Sequence, residues 1–383
     1  MELAEEIAAL DARALAPVVE RLFGRRVTPL TWAVTPFTYQ ATNSLSEGVF
    51  RVSGTARDGA AVRDWSVVVK VLRPAYDVLL AWFPEESRAE LEDAHRWDRE
   101  VHAYESGLLD RLPAGLAAPR CLGVRRDADR CWLWLEDLGP TDPGWDVPRY
   151  ALAARHLGRF NGAFPAASVP DAAWLSHGWL RTWLVTGFGS RAEFVLGNDD
   201  VWEHEIVRSA FAADDRERLE RHWAERAAVL DRLDALPQTL CHLDAFRANL
   251  IGRTNARGEP ETVAIDWAGM GLAPIGAEVG QLVMGSVSFA DYRQDIRELA
   301  PAAVDGYIAG LRESGWNDAE RDVRTGFALS AVRWVFMLGI LNAALDPVRQ
   351  AEVEKWAGQP YVDTLTQAGT RTRYLLGLLD SAR

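Results

Sequence analysis

The stretch TLCHLDAFRANLIG, residues 239–252, places four polar side chains in an otherwise apolar segment: His242, Asp244, Arg247 and Asn249. A buried strand or helix avoids so many polar groups, because each must find a hydrogen-bond partner or stay in water. The stretch is therefore either a solvated turn, capped by its Asx side chains, or a loop whose side chains hold a ligand.

Composition narrows the function classes. The chain has 383 residues, of which 48% are apolar and 25% charged, and this indicates a globular protein of two or three structural units with a sizeable core. Its 42 Lys and Arg against 55 Asp and Glu give a formal net charge of −13. That charge argues against binding to nucleic acid or to an anionic membrane, whereas a cationic substrate would be attracted to it.

The cysteines and the N-terminus indicate the compartment. Three cysteines without C-x-x-C spacing predict neither a disulfide framework nor a zinc cluster. The acidic, amphipathic start is unlike a signal peptide, and the longest apolar run, 334–345, is too short to span a bilayer. We therefore expect a cytoplasmic protein with no membrane partner.

The pattern of elements changes along the chain. Residues 28–72 hold β-branched and aromatic runs separated by turns, 85–112 have helical periodicity, and 130–139 form a short apolar strand that ends at Gly139. Most of the remaining chain has helical patterns, except for 238–267. These patterns predict a sheet-rich lobe at 1–134, a hinge at 135–140 and a larger helical lobe at 141–383, with a cleft suited to a small molecule.

Two carboxylates and one carboxamide in this chain suit a hard cation. Asp244 and Asn249 stand five residues apart, and Asp266 follows 17 residues later at the end of an apolar run in VAIDW. Oxygen donors of this kind bind Mg²⁺ when phosphates complete the shell. Phosphoryl transfer needs metal ligands, a residue that orients the attacking hydroxyl and a cation on the phosphates. Asp244 could orient the hydroxyl, while Asn249 and Asp266 could bind the metal.

Lys70 is the candidate for the phosphate cation. It lies in the apolar strand pattern SVVVKVL, in a chain where Arg supplies most of the surface cations. A carboxylate on the following helix would hold its ammonium group in place. Glu100 in REVHAYE is the first choice of partner, with Glu90 and Glu92 as alternatives.

Each of these residues also has an ordinary structural explanation. Asp244 and Asn249 could cap a turn, Asp266 could cap the next segment, and Lys70 could extend from an edge strand to solvent. Because all of these residues occur in one chain and in a consistent order, a purely structural explanation for the whole set is disfavoured.

Five motifs in order resemble the aminoglycoside phosphotransferase and choline kinase branch of the protein-kinase-like fold. They are VVVKVL, REVHAYE, WLEDLG, HLDAFRANL and IDW, and the resemblance extends from about residue 28 to 345. It implies an α+β fold of two lobes, with a small antiparallel sheet in the N-terminal lobe and a mainly helical C-terminal lobe.

The resemblance also implies a role for each matching residue. Asp244 would be the catalytic base, Asn249 and Asp266 would bind Mg²⁺, and His242 would be structural. The residues implied for ATP or GTP are the phosphate contact Lys70, its partner Glu100, and the backbone of Glu136 and Leu138 next to the base.

Three features depart from the family pattern. The phosphate-covering loop, expected within 38–52, has one glycine, Gly48, so Ser44, Ser46 or the amides of 43–48 would have to serve. Leu243 stands where small-molecule kinases often have Gly and protein kinases have Arg. Residues 266–282 contain no Ser, Thr or Tyr, which argues against regulation by phosphorylation of that segment.

Two function classes remain from the sequence. The first is an Mg-ATP-dependent kinase that phosphorylates a hydroxyl of a small molecule: an aminoglycoside, an amino sugar, a choline-like alcohol or another metabolite or antibiotic. The alternative is a non-catalytic kinase-like protein that binds a nucleotide or a partner. Such proteins usually lack the lysine, the base or a metal ligand, and all are present here, which favours the enzyme.

Overall fold

The computed structural model describes most of the chain. The described residues are 3–37, 46–76, 88–140, 144–182, 184, 189–289 and 294–383. They divide into two units. The first contains Met1–Leu112, Ala117–Asp142 and Val263–Ala268, and the second contains Pro113–Leu116, Pro143–Thr262 and Gly269–Arg383. The predicted hinge at 135–140 stays a prediction.

A five-stranded antiparallel sheet is the centre of the first unit. In spatial order its strands are Thr28–Pro36, Ser46–Asp58, Ala61–Leu72, Cys131–Glu136 and Cys121–Arg126. Val67, Val69 and Val71 belong to a buried cluster that includes Leu15 and Val19 of the helix Ala12–Phe23. Because successive side chains of a strand point to opposite faces, Lys70 points away from that cluster.

Four helices accompany this sheet among the described residues: Leu3–Ala8, Ala12–Phe23, Arg88–Ala94 and Arg99–Glu105. The sequence predicted continuous helical structure over 85–112, but the described part is broken between the last two helices. Arg99 explains the break, because its guanidinium donates to the carbonyls of Asp93 and Ala94. The terminal carbonyls of the earlier helix are thereby satisfied by a side chain rather than by further helix.

The second unit is mainly helical. Its described α-helices are Val147–Ala163, Trp179–Thr182, Gly189–Leu196, Asp199–Glu203, Glu205–Ala210, Asp215–Asp234, Ala277–Gly280, Ser286–Phe289, Ile296–Glu313, Glu320–Val335, Pro347–Ala357 and Tyr361–Ser381. A π-helical turn, Gln281–Gly285, connects Ala277–Gly280 to Ser286–Phe289. The α+β class is thus confirmed, with an N-terminal antiparallel sheet and a mostly helical remainder.

Short strands and 3-10 turns complete the chain. Gln238–Cys241 pairs antiparallel with Gly271–Pro274, and a three-stranded sheet has the order Leu116–Ala117, Pro260–Ala264, Leu250–Thr254. The 3-10 turns are Leu109–Arg111, Ala166–Ser168, Arg247–Asn249, Trp267–Gly269 and Gly339–Leu345.

Two long helices predicted from the sequence are shorter in the structure. The pattern at 200–235 forms three helices. His204 caps the second of them by accepting the N–H of Ile206, and the Asp215 carboxylate accepts the N–H of Ala212 in the segment before the third. The pattern at 318–345 forms a helix only to Val335. By length and composition Glu320–Leu345 could cross a membrane, but most of it is buried inside the protein, as in the core helix of a globular protein.

Glycines let two helices of the second unit pack backbone to backbone. A Cβ atom on Gly306 would lie 2.2 Å from the carbonyl oxygen of Ala151, and one on Gly310 would lie 2.0 Å from that of Arg155. The helices Val147–Ala163 and Ile296–Glu313 can therefore touch only with these glycines. Their contact fixes Asn161, whose Oδ1 accepts from the Tyr307 hydroxyl and whose Nδ2 donates to the Leu240 carbonyl at 2.8 Å.

Gly310→Ala should destabilise the protein by about 1–3 kcal/mol, because the added methyl overpacks a backbone contact. This loss should exceed the roughly 1 kcal/mol by which Ala favours a helix over Gly. The matched control is Gly377→Ala in the helix Tyr361–Ser381, where a Cβ atom meets nothing within 4 Å. Urea unfolding should show a lower midpoint for the first variant and an equal or higher one for the second; equal shifts would contradict the packing argument.

Candidate active site

Lys70 forms ion pairs with two carboxylates in the first unit. Its Nζ lies 2.6 Å from Oε2 of Glu100 and 2.8 Å from Oδ1 of Asp266. The strand Ala61–Leu72 supplies Lys70, the first turn of Arg99–Glu105 supplies Glu100, and the chain brings in Asp266 after the strand Pro260–Ala264. The pair predicted between Lys70 and Glu100 is present, while the contact with Asp266 was not predicted.

The three charges leave a net negative group. Burial alone would lower the pKa of Lys70, but the charges of Asp266 and Glu100 outweigh it and raise that pKa, so the amine stays protonated. One ammonium group thus serves two carboxylates. Lys70 and Glu100 are buried, whereas the side chain of Asp266 is 35% exposed, so the uncompensated charge is accessible at Asp266.

Asp266 is suited to Mg²⁺ by its oxygen donors and its exposed charge. The described residues contain no cluster of three or more His, Cys, Asp or Glu that could hold a metal by itself. Mg²⁺ is usually bound through one or two carboxylates together with substrate phosphates. The described part of the first unit therefore fits a metal ion shared between Asp266 and substrate phosphates better than one held by protein ligands alone.

The backbone at Asp266 is fixed in a strained conformation. Asp266 has φ +60°, in the left-handed region that few non-glycine residues adopt, with Asp among the more tolerant. The neighbouring side chain of Trp267 is fully buried, and its Nε1 donates to the Ala264 carbonyl at 2.9 Å. Arg99 donates to the Ala268 carbonyl at 3.0 Å. These bonds and the ion pair with Lys70 hold the segment that carries the carboxylate.

The quoted stretch forms a polar loop in the second unit. It follows the strand Gln238–Cys241 and continues through the turn Arg247–Asn249 into Leu250–Thr254. Nδ2 of Asn249 lies 2.9 Å from both the Asp244 carbonyl and its Oδ2. Nε2 of Gln281 donates to Asp244 Oδ1 at 3.1 Å. Asp244 and Asn249 are thus together, and both carboxylate oxygens of Asp244 accept a hydrogen bond.

Buried His242 and Glu278 hold the backbone of this loop. Nδ1 of His242 accepts the N–H of Asp244 at 3.2 Å, which is the structural position that the sequence predicted. Glu278 accepts the N–H groups of His242 and Leu243 at 2.6 and 3.2 Å. Burial raises the pKa of Glu278 to about 7, although the bonds from His242, Leu243 and Asn161 oppose that rise.

Leu243 occupies a left-handed conformation, with φ +64°. For a residue with a Cβ this costs roughly 1–2 kcal/mol. The Leu243 side chain is buried against Trp179, Cys241 and Ala273, and burying a leucine contributes about 1.5–3 kcal/mol. Packing therefore offsets the strain of placing Leu in a left-handed conformation, which glycine would adopt at no steric cost.

Four further residues were predicted to contact the nucleotide, and the structure says less about them. Ser44 lies outside the described residues. Ser46 begins the strand Ser46–Asp58, and its buried Oγ has no hydrogen-bond partner among the described residues. The N–H of Glu136 donates to the Arg120 carbonyl at 3.0 Å, so that group is not available to a base. Leu138 follows in the half-buried segment after the strand, and the nucleotide roles of all four stay predictions.

Sequence reasoning missed several polar side chains that fix the candidate residues. Asp137 accepts from Ser66 and Arg51 at 2.5 and 2.6 Å and thereby fixes the segment around Leu138. Gln281, in the apolar run VGQLVMG, is the second donor to Asp244. A lone polar residue within an apolar helix is a signal that could have identified it.

Comparison with known proteins identifies the family to which the chain belongs. The model of the family described as "APH: Phosphotransferase enzyme family" matches residues 45–319, which is most of the chain. No curated protein sequence matches.

Solved structures of kinases are similar to the chain. A spectinomycin phosphotransferase in complex with ADP and spectinomycin is 12% identical, with 97% of this chain and 100% of that one covered and a TM-score of 0.47. A Streptomyces rimosus aminoglycoside phosphotransferase in complex with ADP and streptomycin is 17% identical, with 85% and 99% covered and a TM-score of 0.41. A Plasmodium vivax ethanolamine kinase is 12% identical, with 90% and 81% covered and a TM-score of 0.43. The family assignment rests on the family model.

Glu278→Gln should remove a pH dependence of stability. Because native Glu278 keeps its proton to about pH 7 and an unfolded chain releases it near pH 4.3, the native state binds more protons between these values. The free energy of unfolding should therefore fall as pH rises through this window, by about 4 kcal/mol at most. Urea unfolding of both proteins at pH 5 and pH 8 measures this; a wild-type-to-variant difference that is the same at both values would contradict it.

Proposed function

The chain belongs to the phosphotransferase enzyme family, and from that premise we propose that it transfers the γ-phosphate of Mg-ATP or Mg-GTP to a hydroxyl group of a small molecule. The observation that carries this proposal is the buried ion-pair set of Lys70 with Glu100 and Asp266. A phosphate-binding ammonium and an exposed carboxylate are the two groups that a metal–nucleotide complex requires from a protein.

Lys70 is proposed to bind the nucleotide phosphates. Its ammonium group has three donors, of which the two carboxylates use two. Glu100 is buried and holds the group in position, while Asp266 is exposed enough to exchange its bond for a metal. When bound to Asp266, Mg²⁺ would neutralise charge on the phosphates.

Asp244 is proposed to orient the acceptor and take its proton. In the transfer, the acceptor oxygen forms a new P–O bond, the bond from the γ-phosphorus to the leaving diphosphate breaks, and the hydroxyl proton passes to the Asp244 carboxylate and then to water. Asn249 and Gln281 fix that carboxylate, so its contribution is orientation as much as basicity. Asn249 as a second metal ligand stays a prediction from the resemblance.

The acceptor is proposed to be a small hydroxyl compound of the classes that the sequence suggested. The net charge of −13 favours the approach of a cationic acceptor, such as an aminoglycoside, an amino sugar or a choline-like alcohol. ADP release from Mg-ATP by the purified protein, across a panel of these compounds and nucleosides, tests both the reaction and the class. Nucleotide binding without turnover on any of them would favour the alternative of a binding protein.

Asp244→Asn should lower kcat by about 10²–10⁴, because the acceptor proton loses its base. Nucleotide affinity should be nearly unchanged, because the variant keeps the shape and one acceptor oxygen of the side chain. Asp305→Asn, at an exposed carboxylate paired with Arg324 in the same unit, is the matched control and should retain wild-type kcat. Turnover close to wild type in Asp244→Asn would exclude the residue as base.

Asp266→Asn should remove the effect of Mg²⁺ on nucleotide binding. The variant keeps the ion pair of Lys70 with Glu100 but loses the exposed charge, so the affinity for Mg-ATP should fall roughly 10-fold or more. Calorimetric titration of ATP with and without Mg²⁺ measures this, with Asp64→Asn, at an exposed carboxylate of the same unit, as control. If Mg²⁺ strengthened binding equally in wild type and Asp266→Asn, this residue would not be a ligand.

A further inference from the structure

Gln281 and Arg333 form a chain of hydrogen bonds that ends on Asp244. Nη1 of Arg333 donates to Oε1 of Gln281 at 2.8 Å, and Nε2 of Gln281 donates to Oδ1 of Asp244 at 3.1 Å. All three residues belong to the second unit. Neither Gln281 nor Arg333 belongs to the motifs that identified the loop.

A close contact between two helices brings Gln281 and Arg333 together. Gly280 ends the helix Ala277–Gly280, and a Cβ atom there would lie 2.2 Å from Oγ of Ser330. Ser330 and Arg333 are one turn apart on the helix Glu320–Val335. Gln281 then begins a π-helical turn, a distortion that occurs frequently at functional sites. The local backbone thus places the amide of Gln281 between Arg333 and Asp244.

Arg333 is held by aromatic rings. Its guanidinium carbon lies 4.2 Å from the ring centroid of Trp179 and 4.6 Å from that of Trp334. Burial lowers the pKa of Arg333 to about 10, with Asp244 opposing that shift, so the group is cationic at neutral pH. A planar guanidinium stacked on aromatic faces has little freedom to rotate, and this fixes the direction of its donors.

The direction of the hydrogen bonds from Arg333 through Gln281 to Asp244 has a chemical reason. An Arg side chain has donors only, whereas a Gln amide has an acceptor end and a donor end. Arg333 therefore requires the oxygen of Gln281 to face it, and the NH₂ group of Gln281 must then face Asp244. With Asn249 on Oδ2 and Gln281 on Oδ1, the Asp244 carboxylate cannot rotate about its Cβ–Cγ bond without losing a hydrogen bond.

We propose that Gln281 and Arg333 are positioning residues of the phosphotransferase: Gln281 holds the plane of the Asp244 carboxylate, and Arg333 sets the orientation of the Gln281 amide. This rests on the proposed role of Asp244. The two residues act through Asp244, so their loss should change kcat and leave nucleotide binding intact.

Gln281→Met and Arg333→Met should each lower kcat about 10–100-fold, as expected for a misplaced catalytic group, with the KM for ATP unchanged. The double variant should be no slower than the slower single variant, because both substitutions break the same series of hydrogen bonds to Asp244. Gln281→Glu keeps the size and the bond to Arg333 but has no donor for Asp244 at neutral pH, so it should be as slow as Gln281→Met. Arg333→Lys can still donate to Gln281 and should restore part of the rate.

Arg226→Met is the matched control. Arg226 lies 3.9 Å from the ring centroid of Trp223 in the same unit, and its loss should leave kcat unchanged. Thermal unfolding of every variant identifies any that do not fold, and Arg333→Lys and Gln281→Glu then carry the comparison. Full activity in Gln281→Glu, or losses that multiply in the double variant, would overturn the proposal.

Crystal structures of Gln281→Met and Arg333→Met test the proposal even if no acceptor is turned over. The Asp244 carboxylate should rotate away from its wild-type plane in both, and stay in place in Arg226→Met. A carboxylate that superimposes on the wild type in all three would overturn the positioning role. A wild-type protein that releases no ADP with any acceptor would instead contradict the proposed function, so the two failures are distinguishable.

Discussion

The first unit depends on one buried ammonium group that serves two carboxylates. Lys70 joins three separate parts of the chain: a central strand, the helix with Glu100, and Val263–Ala268, which returns to this unit with Asp266. Without Lys70, a buried glutamate and its neighbour would repel each other, and uncompensated buried charges of this kind typically cost about 3–5 kcal/mol. The return of Val263–Ala268 therefore requires a cation at this strand position, and an apolar residue could not replace it.

The loop in the second unit depends on a buried carboxyl group, that of Glu278. Glu278 contributes no exposed group; it accepts the consecutive backbone N–H groups of His242 and Leu243 within the loop and so holds Leu243 in its left-handed conformation. Leu243 and Asp266 are the two non-glycine residues with positive φ in the described chain. One directly precedes the proposed base and the other is the proposed metal ligand. Strain of this kind persists only where surrounding bonds over-determine it, and it concentrates at functional sites.

The parts of the site that the sequence predicted are those set by local rules. The strand pattern around Lys70 and the carboxylates of the helical segment that follows were enough to make Glu100 the first choice of partner, with Glu90 and Glu92 as alternatives. The sequence also placed Asp244 and Asn249 in one polar loop, where the structure joins them by hydrogen bonds. The contact of Lys70 with Asp266 joins residues 196 positions apart, and that of Arg333 with Gln281 joins residues 52 apart. No local pattern specifies such contacts. The break caused by Arg99 was missed for a related reason, since its partners are backbone carbonyls, which every residue offers.

A carboxylate whose two oxygens already accept hydrogen bonds can still act as a base. An ionised carboxylate has about four lone-pair positions, and the amides of Asn249 and Gln281 use two of them. The remaining positions then have fixed directions, and a hydroxyl that binds there is already aligned. Each donated hydrogen bond favours the ionised form and so weakens the base, which would be a loss if proton abstraction limited the reaction. In phosphoryl transfer the loose transition state gains more from alignment than from base strength, so this arrangement of Asp244 exchanges basicity for orientation.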